Sequence, residues 1–318
     1  MREQQVIIEG NYDLAGTLTL PQEEQEVYPL MVMVHGSGDL DRDENTKHLR
    51  INTFKEISDF VVKKGIATLR YDKRGVGESE GDFYKAGLFD LIEDAISLLR
   101  FGKNHPQVDA HRIILLGHSE GSIIAPAIHA QEPVSGMVLL AGTAEPLSET
   151  TTWQREKMKE DIKNAIGFEG WLLRLLNVDR KIEKLNRKVM DRIENSTEDV
   201  IRYRGKKINA KWDREHRQYN IRDYLPQVEC PVLAITGTKD VQVKPWDLEE
   251  IAELSSGPCD THLIEDMSHI LRRTNEQRFS KILKDYKRQV KEPIDQEVLE
   301  IIGEWLEGNI NQAEEKNS

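Results

Sequence analysis

The stretch that decides the fold is Gly117-His118-Ser119-Glu120-Gly121. Residues 112–116, before it, have the apolar character of a buried strand, and residues 122–130, after it, have the character of a helix. A serine between a strand and a helix, with glycines two positions to either side, is typical of a sharp turn that holds the hydroxyl clear of the sheet. The glycines keep Cβ atoms out of the space where strand and helix approach each other. The stretch therefore predicts Ser119 as a nucleophile and leaves the N–H of Glu120, at the helix start, free to face an oxyanion.

Length and composition limit the class of protein. The chain has 318 residues, of which 38% are hydrophobic and 31% charged, which predicts a globular protein of one large α/β domain with an insertion or of two modest domains. The net charge of −12 argues against nucleic acid and anionic membranes as partners, because both bind basic surfaces. No stretch approaches the roughly 18 uncharged apolar residues of a membrane span.

The cellular location is expected to be the cytoplasm. The chain begins with a short predicted strand instead of a long apolar segment, so we expect no signal peptide. The two cysteines, Cys230 and Cys259, indicate no disulfide framework and fit a reducing compartment.

Predicted strands alternate with predicted helices over most of the chain. Short apolar or alternating runs predict strands at residues 6–8, 14–20, 30–34, 66–71, 112–116, 136–141, 231–236 and 261–264. Apolar residues at helical spacing predict helices at residues 46–64, 86–104, 122–130, 245–254, 276–290 and 294–306. The first two strands read as an antiparallel pair, and the alternation that follows implies one mostly parallel sheet with helices on both faces.

Residues 144–225 have a different character. They contain many charges, few strand-like runs and scattered apolar residues at helical spacing, over residues 153–162 and 166–176. We interpret the segment as a helical cap inserted between two strands, because the strand pattern resumes directly after it. An independent helical domain is the alternative. With a cap at residues 144–225, the core comprises residues 1–143 and 226–318. The basic run 202–207 is interpreted as solvated helix or loop within the cap.

Two later residues supply the partners that a serine nucleophile requires. Asp240 and His269 each follow the end of a predicted strand, and they come after Ser119 in the order serine, acid, histidine. The ends of parallel strands lie along one edge of a sheet, so we expect the three side chains to meet there. In this hypothesis Ser119 attacks a carbonyl, His269 takes its proton and later gives it to the leaving group, and Asp240 orients the imidazole.

A second oxyanion donor is expected in the loop that follows the strand at residues 30–34. Gly36 and Gly38 allow this loop to turn back towards a substrate, so the N–H of Ser37 is the candidate donor. His35 is expected to brace the same loop by hydrogen bonding.

The motifs together resemble those of the α/β-hydrolase superfamily. They are His35-Gly36-Ser37-Gly38, Asp72-Lys73-Arg74-Gly75-Val76-Gly77-Glu78-Ser79, Gly117-His118-Ser119-Glu120-Gly121, Gly237-Thr238-Lys239-Asp240 and Ser268-His269. More narrowly, the chain is similar to bacterial esterases and serine-aminopeptidase-like hydrolases over about residues 5 to 307, with the predicted cap as the divergent part. The resemblance implies an α/β-hydrolase fold, with an eight-stranded mostly parallel sheet, and no cofactor or metal. It also implies ester hydrolysis through an acyl-enzyme, with Ser119, Asp240 and His269 as the triad and the N–H groups of Ser37 and Glu120 as the oxyanion hole.

Three functions are compatible with these residues. The first is a serine carboxylesterase that cleaves small-molecule esters of small or medium acyl groups. The second is an aminopeptidase or thioesterase with the same triad, and an aminopeptidase would need acidic cap residues to hold the substrate amine. Candidates for that role are Glu149, Glu156, Glu160 and Asp161. The third is a non-catalytic binding protein on this fold. The sequence leaves open whether the chain forms a homodimer.

Overall fold

A central sheet organises the structure, a computed structural model that describes residues 1–23, 25–164 and 178–310. The strands within these residues are β1 (Arg2–Ile8), β2 (Leu14–Leu20), β3 (Tyr28–Val34), β4 (Ala67–Tyr71), β5 (Val108–His118), β6 (Gly136–Leu140), β7 (Val200–Tyr203), β8 (Lys206–Asn209), β9 (Val232–Gly237) and β10 (Cys259–Ile264). Eight of them form one sheet in the order β1-β2-β4-β3-β5-β6-β9-β10. Only β2 runs antiparallel to its neighbours within that sheet. The predicted mostly parallel, eight-stranded sheet is confirmed.

Helices cover both faces of this sheet. In the described residues they are α1 (Thr53–Val62), α2 (Leu88–Asn104), α3 (Glu120–Gln131), α4 (Leu147–Asn164), α5 (Val178–Glu194), α6 (Ala210–Gln218), α7 (Asp247–Leu254), α8 (Phe279–Gln289) and α9 (Gln296–Ile310). Helices α2, α3 and α7 contribute to one apolar cluster, and α1 and α9 contribute to the other. No helix in the described part of the chain is both long and apolar enough to cross a membrane.

The central strands explain why the two apolar clusters lie back to back. In β3, Leu30 and Val32 belong to one cluster, whereas Met31 and Met33 belong to the other. All residues of β3 are buried. Side chains of a strand alternate between faces, so a continuous apolar run is required when helices cover both.

The first helix is shorter than predicted. It begins at Thr53 rather than at residue 46. The backbone of Asn52 has a left-handed φ of 55°, and its N–H donates to the side chain of Asn45 over 2.9 Å. Polar side chains therefore hold residues 46–52 in a loop, although apolar Ile51 fits the helical spacing.

The predicted cap contains a feature that the sequence analysis missed. Between helices α5 and α6, strands β7 and β8 form an antiparallel hairpin. The run 202–207 lies in this hairpin, so its interpretation as helix or loop was wrong. Arg204 and Gly205, with φ of 51° and 81°, form its two-residue turn. The predicted helical pattern over residues 166–176 lies outside the described residues, and the division into core and cap stays a prediction.

Helix α6 anchors this segment to the rest of the molecule. The side chain of Asn209, which caps the helix, donates to the carbonyl oxygen of Ala86 over 2.6 Å. Lys211 forms an ion pair of 2.6 Å with Asp90 of α2. These contacts hold α6 next to the carboxyl-terminal edge of the sheet.

Candidate active site

Ser119 lies at the turn between β5 and α3 with an unusual backbone. Its φ of 53° and ψ of −116° fall outside the regions that a serine normally adopts. A Cβ added to Gly117 would lie 2.4 Å from backbone atoms of Gly121, and one added to Gly121 would lie 2.0 Å from the carbonyl oxygen of Val34. The two glycines are thus required because strand and helix nearly touch. The turn leaves Ser119 partly exposed, while both of its neighbours are buried.

The structure brings together the three side chains that the sequence singled out. The Oγ of Ser119 lies 2.9 Å from Nε2 of His269, and Nδ1 of His269 lies 2.8 Å from Oδ2 of Asp240. His269 and Asp240 are each 4% exposed. The three residues follow β5, β9 and β10, whose carboxyl ends lie along one edge of the sheet. The hydrogen bonds form a continuous chain from hydroxyl to imidazole to carboxylate.

Asp240 is fixed by its own loop. Its second carboxylate oxygen, Oδ1, accepts the backbone N–H groups of Gln242 and Val243 over 2.7 and 3.0 Å. Only Oδ2 therefore faces the imidazole of His269. This arrangement sets the direction of the hydrogen bond that the imidazole donates.

A buried arginine holds the loop that carries His269. Arg272 is 1% exposed and donates to the carbonyl oxygens of Ile270, Ile51 and Glu292 over 2.8, 2.6 and 2.9 Å. It also pairs with Glu56 of α1 over 2.7 Å. Burial outweighs the neighbouring carboxylates and lowers the pKa of Arg272. The loop is thereby attached both to α1 and to the segment before α9.

A second histidine supports the backbone of His269. Nε2 of His118 lies 2.9 Å from the carbonyl oxygen of His269, and Nδ1 of His118 lies 2.7 Å from Oε1 of Glu44. The same carboxylate oxygen accepts the N–H of Gly36 over 2.9 Å. Sequence analysis assigned no role to Glu44 or His118. His118 was visible within the motif around Ser119, but nothing in the sequence indicated that Glu44 would reach it.

The loop after β3 passes directly beside Ser119. A Cβ added to Gly36 would lie 3.1 Å from the Cβ of Ser119. Next to this loop, the buried side chain of Lys73 donates to the carbonyl oxygen of Gly36 over 2.6 Å and pairs with Glu120 over 3.0 Å. Ser37 and Glu120, the two predicted oxyanion donors, line one cavity.

His35 does not brace this loop in the predicted way. Neither of its ring nitrogens has a hydrogen-bond partner among the described residues. The ring instead packs against Phe54 and against the edge of Tyr71, with centroids 5.1 and 4.5 Å away. Complete burial lowers the pKa of His35 to about 3, so the ring is neutral and acts as an apolar filler.

The cavity beside Ser37 and Glu120 has a volume of about 320 Å³. Its wall is mainly apolar and comes from the segment before α2, from α2 itself, and from α5, β8 and α6. These apolar residues are Phe83, Tyr84, Ala86, Leu91, Val189, Met190, Ile193, Ile208 and Trp212. We name it the acyl cavity after the group that we propose it binds; Ser119 and His269 are not among the residues that line it. A larger cavity of about 740 Å³ lies beside α2, and none of the predicted site residues lines it.

Three carboxylates meet elsewhere, near the start of α7. Ligand atoms of Glu145, Asp247 and Glu250 all lie within 4.8 Å of one another, a spacing that could hold a metal ion. Glu145 is already paired with Lys244, and Glu250 is paired with Arg222 over 2.6 Å. Burial raises the pKa of Asp247 to about 6. Because neighbouring cations already neutralise two of the three carboxylates, we assign no metal to this cluster.

Comparison with known proteins identifies the family. The model of the family described as serine aminopeptidase, S33, matches residues 30–277. The chain belongs to this family. It is an α/β hydrolase, as the motifs around residues 35–38, 72–79 and 117–121 implied.

Individual relatives of this S33 family member include esterases. The chain is 29% identical over 273 residues to esterase EstD of Thermotoga maritima, and the match covers 85% of this chain and 60% of EstD. It is 26% identical over 174 residues to the multifunctional-autoprocessing repeats-in-toxin of Vibrio cholerae, with 52% of this chain and 3% of the toxin covered. The chain therefore spans less than two thirds of the length of either curated relative.

Solved structures share the fold of this S33 family member. Est1E from Butyrivibrio proteoclasticus, with ferulic acid bound, has a TM-score of 0.59 at 17% identity, and the match covers 90% of this chain and all of Est1E. The esterase domain of a Rhodothermus marinus protein has a TM-score of 0.57 at 18% identity, with 98% of this chain and all of that domain covered. At these identities the likeness concerns the fold alone.

Proposed function

We propose that this α/β hydrolase is a serine carboxylesterase that cleaves esters of small or medium acyl groups through an acyl-enzyme on Ser119. The observation that carries the proposal is the continuous hydrogen-bonded chain from Ser119 through His269 to Asp240. A serine hydroxyl is a weak nucleophile at neutral pH, and this arrangement supplies it with a base and the base with an orienting acid.

In the proposed mechanism, Ser119 Oγ attacks the ester carbonyl while its proton passes to Nε2 of His269. The carbonyl oxygen becomes an oxyanion, which the N–H groups of Ser37 and Glu120 stabilise. The tetrahedral intermediate collapses, His269 gives the proton to the leaving alcohol, and the acyl group stays on Ser119. Water then attacks the acyl-enzyme, His269 takes a proton from it, and the acid product leaves as Ser119 regains its proton.

The acyl cavity supports the proposed size of the substrate. Its volume of about 320 Å³ is near the lower end of the range that small-molecule sites occupy. Its wall combines apolar side chains with Ser37 and Glu120, whose N–H groups would hold the carbonyl oxygen. A short or medium apolar acyl group suits these dimensions and this chemistry.

The second candidate is an aminopeptidase, which the description of the S33 family favours. The acidic residues that the sequence offered for holding an amine are mostly occupied. Glu149 pairs with Arg222 and Glu160 with Lys157, each over 3.0 Å. The preference for esters over amides rests on this pairing and on the apolar wall of the acyl cavity.

Neither of the other two acidic positions lines the acyl cavity. Asp161 lies 3.4 Å from Arg278, and Glu156 is exposed outside the acyl cavity. Within the acyl cavity, Asp213 pairs with Arg217 over 2.6 Å. An amine entering there would have to compete with a cation already present.

Labelling with a fluorophosphonate tests the nucleophile. We expect one covalent adduct per chain, located at Ser119 by peptide mass spectrometry and lost in Ser119→Ala. The matched control is Ser135→Ala, which removes a hydroxyl that donates to the carbonyl oxygen of Ile113 over 2.8 Å, and it should keep the adduct. A folded wild-type chain that takes no label would favour a non-catalytic binding protein.

A substrate panel tests the bond that is cleaved. p-Nitrophenyl esters, aminoacyl anilides and acyl thioesters should be compared by kcat/KM under the same conditions. We expect the esters to be the best substrates. Higher kcat/KM for the anilides or the thioesters would replace the proposal with the aminopeptidase or the thioesterase.

A further inference from the structure

Lys73 is a buried cation with two partners next to the nucleophile. It is 2% exposed and lies in the loop that follows β4. Its Nζ donates to the carbonyl oxygen of Gly36 over 2.6 Å and to Oε2 of Glu120 over 3.0 Å. The proposed reaction does not use this amine, and burial of a lysine is costly unless its donors are satisfied.

The first contact acts on the peptide that carries one oxyanion donor. The carbonyl of Gly36 and the N–H of Ser37 belong to the same planar peptide unit, and the described chain contains no cis peptide bond. In a trans unit the C=O and N–H point in opposite directions, so a bond that fixes the carbonyl also fixes the direction of the N–H. A hydrogen bond to the carbonyl additionally polarises the unit and strengthens the N–H as a donor.

The second contact acts on the residue that carries the other donor. The carboxylate of Glu120 accepts from Lys73 and from Nε1 of Trp212, the latter over 2.6 Å, and it lies 3.4 Å from Nε2 of His216. Burial alone would raise the pKa of Glu120, but the charge of Lys73 and the hydrogen bonds keep it below its ordinary value. Burial lowers the pKa of His216. Glu120 is therefore a fixed anion whose main counter-charge is Lys73.

We propose that Lys73 is the positioning residue of the oxyanion hole, because it fixes the position of the Gly36–Ser37 peptide relative to Glu120. The inference rests on the proposed function and goes beyond it, since it assigns a role to a side chain that touches no reacting atom. A single ammonium group links the loop that carries Ser37 to Glu120 at the start of α3, 83 positions later in the sequence, and Glu120 extends the link to Trp212 of α6.

The expected effect is a loss in kcat with KM largely unchanged. The oxyanion develops during the reaction, so misdirected donors weaken the transition state more than the bound substrate. Loss of one donor typically costs about 10²- to 10³-fold in kcat. For displaced but present donors we expect a loss of about 10- to 100-fold, by the same reasoning.

The test compares Lys73→Met with the double variant Lys73→Met/Glu120→Gln. Lysine and methionine have unbranched side chains of similar reach, and methionine cannot donate. We measure kcat and KM on the best p-nitrophenyl ester and the dissociation constant of an alkyl boronic acid, which forms a tetrahedral anion on a serine. We expect both variants to lose kcat and to bind the boronic acid more weakly by a similar factor, with KM near the wild-type value.

The control is Arg74→Met, in the neighbouring position of the same loop. Arg74 is buried and pairs with Asp94 over 2.6 Å, and it does not line the acyl cavity. The Arg74→Met variant should have a lower melting temperature than the wild type. Its kcat should equal that of the wild type within experimental error. Circular dichroism checks folding. If Lys73→Met does not fold, the double variant, which leaves no unpaired buried charge, provides the measurement.

Each outcome decides the inference separately from the proposed function. Recovery of wild-type kcat in the double variant would mean that Lys73 only neutralises Glu120, which would overturn the inference. An equal loss of kcat in Arg74→Met would mean a general packing effect and would also overturn it. An active wild type whose kcat is unaffected by Lys73→Met overturns the inference alone, whereas an inactive wild type overturns the proposed function.

Discussion

Nε2 of His118 lies 2.9 Å from the carbonyl oxygen of His269. His118, the residue directly before Ser119, thus supports the backbone of His269, whose imidazole contacts Ser119. The other ring nitrogen of His118 meets the carboxylate of Glu44 over 2.7 Å. Both partners are acceptors, so the ring makes both bonds only when both nitrogens carry protons. Burial would lower the pKa of His118, but the charge of Glu44 outweighs burial and raises it.

Glu44→Gln should destabilise the protein in a limited pH window. Burial would raise the pKa of Glu44, but the charge of His118 and the hydrogen bonds lower this pKa below its ordinary value of 4.5. The stabilising contribution of the Glu44 carboxylate is therefore lost only as the pH falls through that lowered pKa. Because the pKa of His118 is raised above its ordinary value of 6.5, protonated His118 contributes its full stabilisation below pH 6.5. This stabilisation is lost as the pH rises through the raised pKa. We expect Glu44→Gln to lower the free energy of unfolding by about 1–3 kcal/mol between these limits.

Urea unfolding at several pH values between about 5 and 9 measures this difference. The difference in the free energy of unfolding between the wild type and Glu44→Gln should become smaller as the pH rises through the raised pKa of His118. Glu300→Gln is the control, because Glu300 is exposed and its side chain accepts a hydrogen bond from Gln296 of the same helix. A deficit that stays constant over the whole range would show that the charge of the Glu44–His118 pair is not responsible.

Asp240→Asn should remove most of the activity while leaving the fold intact. An amide can still accept the N–H groups of Gln242 and Val243 at the position of Oδ1. Its other end stabilises the wrong tautomer of His269, for which we expect a fall in kcat of about 10⁴-fold. Steady-state kinetics and the melting temperature measure the two effects.

The matched control for Asp240→Asn is Asp266→Asn. Asp266 lies in the loop before His269 and has a φ of 56°, a conformation that asparagine tolerates. It should keep kcat near the wild-type value. A folded Asp240→Asn enzyme with wild-type kcat would remove Asp240 from the mechanism.

Gly121→Ala should destabilise the turn that carries Ser119. The new Cβ would lie 2.0 Å from the carbonyl oxygen of Val34, and backbone cannot yield as a flexible side chain can. We expect a loss of at least about 3 kcal/mol in the free energy of unfolding, together with loss of fluorophosphonate labelling. Thermal unfolding and labelling yield report the result.

Gly308→Ala serves as the opposite case. Gly308 is an exposed residue within α9, and a Cβ there would meet no atom of residues 1–23, 25–164 and 178–310 within 4 Å. Alanine should be neutral or should stabilise the helix by about 0.5–1 kcal/mol. A Gly121→Ala protein as stable as Gly308→Ala would contradict the close approach of α3 to β3.

Met190→Trp should shift the preference towards shorter acyl groups. Met190, on α5, lines the acyl cavity of about 320 Å³, and tryptophan would fill part of it. Burial of each methylene contributes about 0.8 kcal/mol, so kcat/KM for p-nitrophenyl hexanoate should fall by about 10-fold or more relative to the acetate.

Met158→Trp is the control for this experiment. Met158 lies on α4 and lines a different cavity, beside Val241 and Phe279. Its profile over acyl chain length should match the wild type. If Met158→Trp shifted the profile and Met190→Trp did not, the acyl group would belong in that other cavity.

Local patterns were sufficient to predict the sheet and the position of the three central side chains. Continuous apolar runs such as β3 require burial on both faces, and this requirement is visible in the sequence. Ser119, Asp240 and His269 each follow a strand, and parallel strands end at a common edge. The prediction therefore needed only the order of the elements and no knowledge of distant contacts.

Local patterns failed at three places, where side-chain hydrogen bonds, an unusual turn sequence or packing decides the conformation. The loop at residues 46–52 has helical spacing, but Asn45 and Asn52 hold it open through their side chains. The hairpin turn at Arg204 and Gly205 has an arginine at the position where asparagine is preferred in a two-residue turn of this kind. His35 was expected to donate or accept, yet Phe54 and Tyr71 surround it.

The sequence by itself determined the order of the strands and helices of the central sheet, the strained turn at Ser119 and the edge of the sheet at which that turn lies, but it did not predict the hairpin of β7 and β8. Only the tertiary structure decided that Glu44 supports His118 and that Lys73 joins Gly36 to Glu120. The reason is physical. Periodicity and turn chemistry act between neighbours along the chain, whereas a buried charge finds its partner through folding, and the sequence carries no mark of which partner that will be.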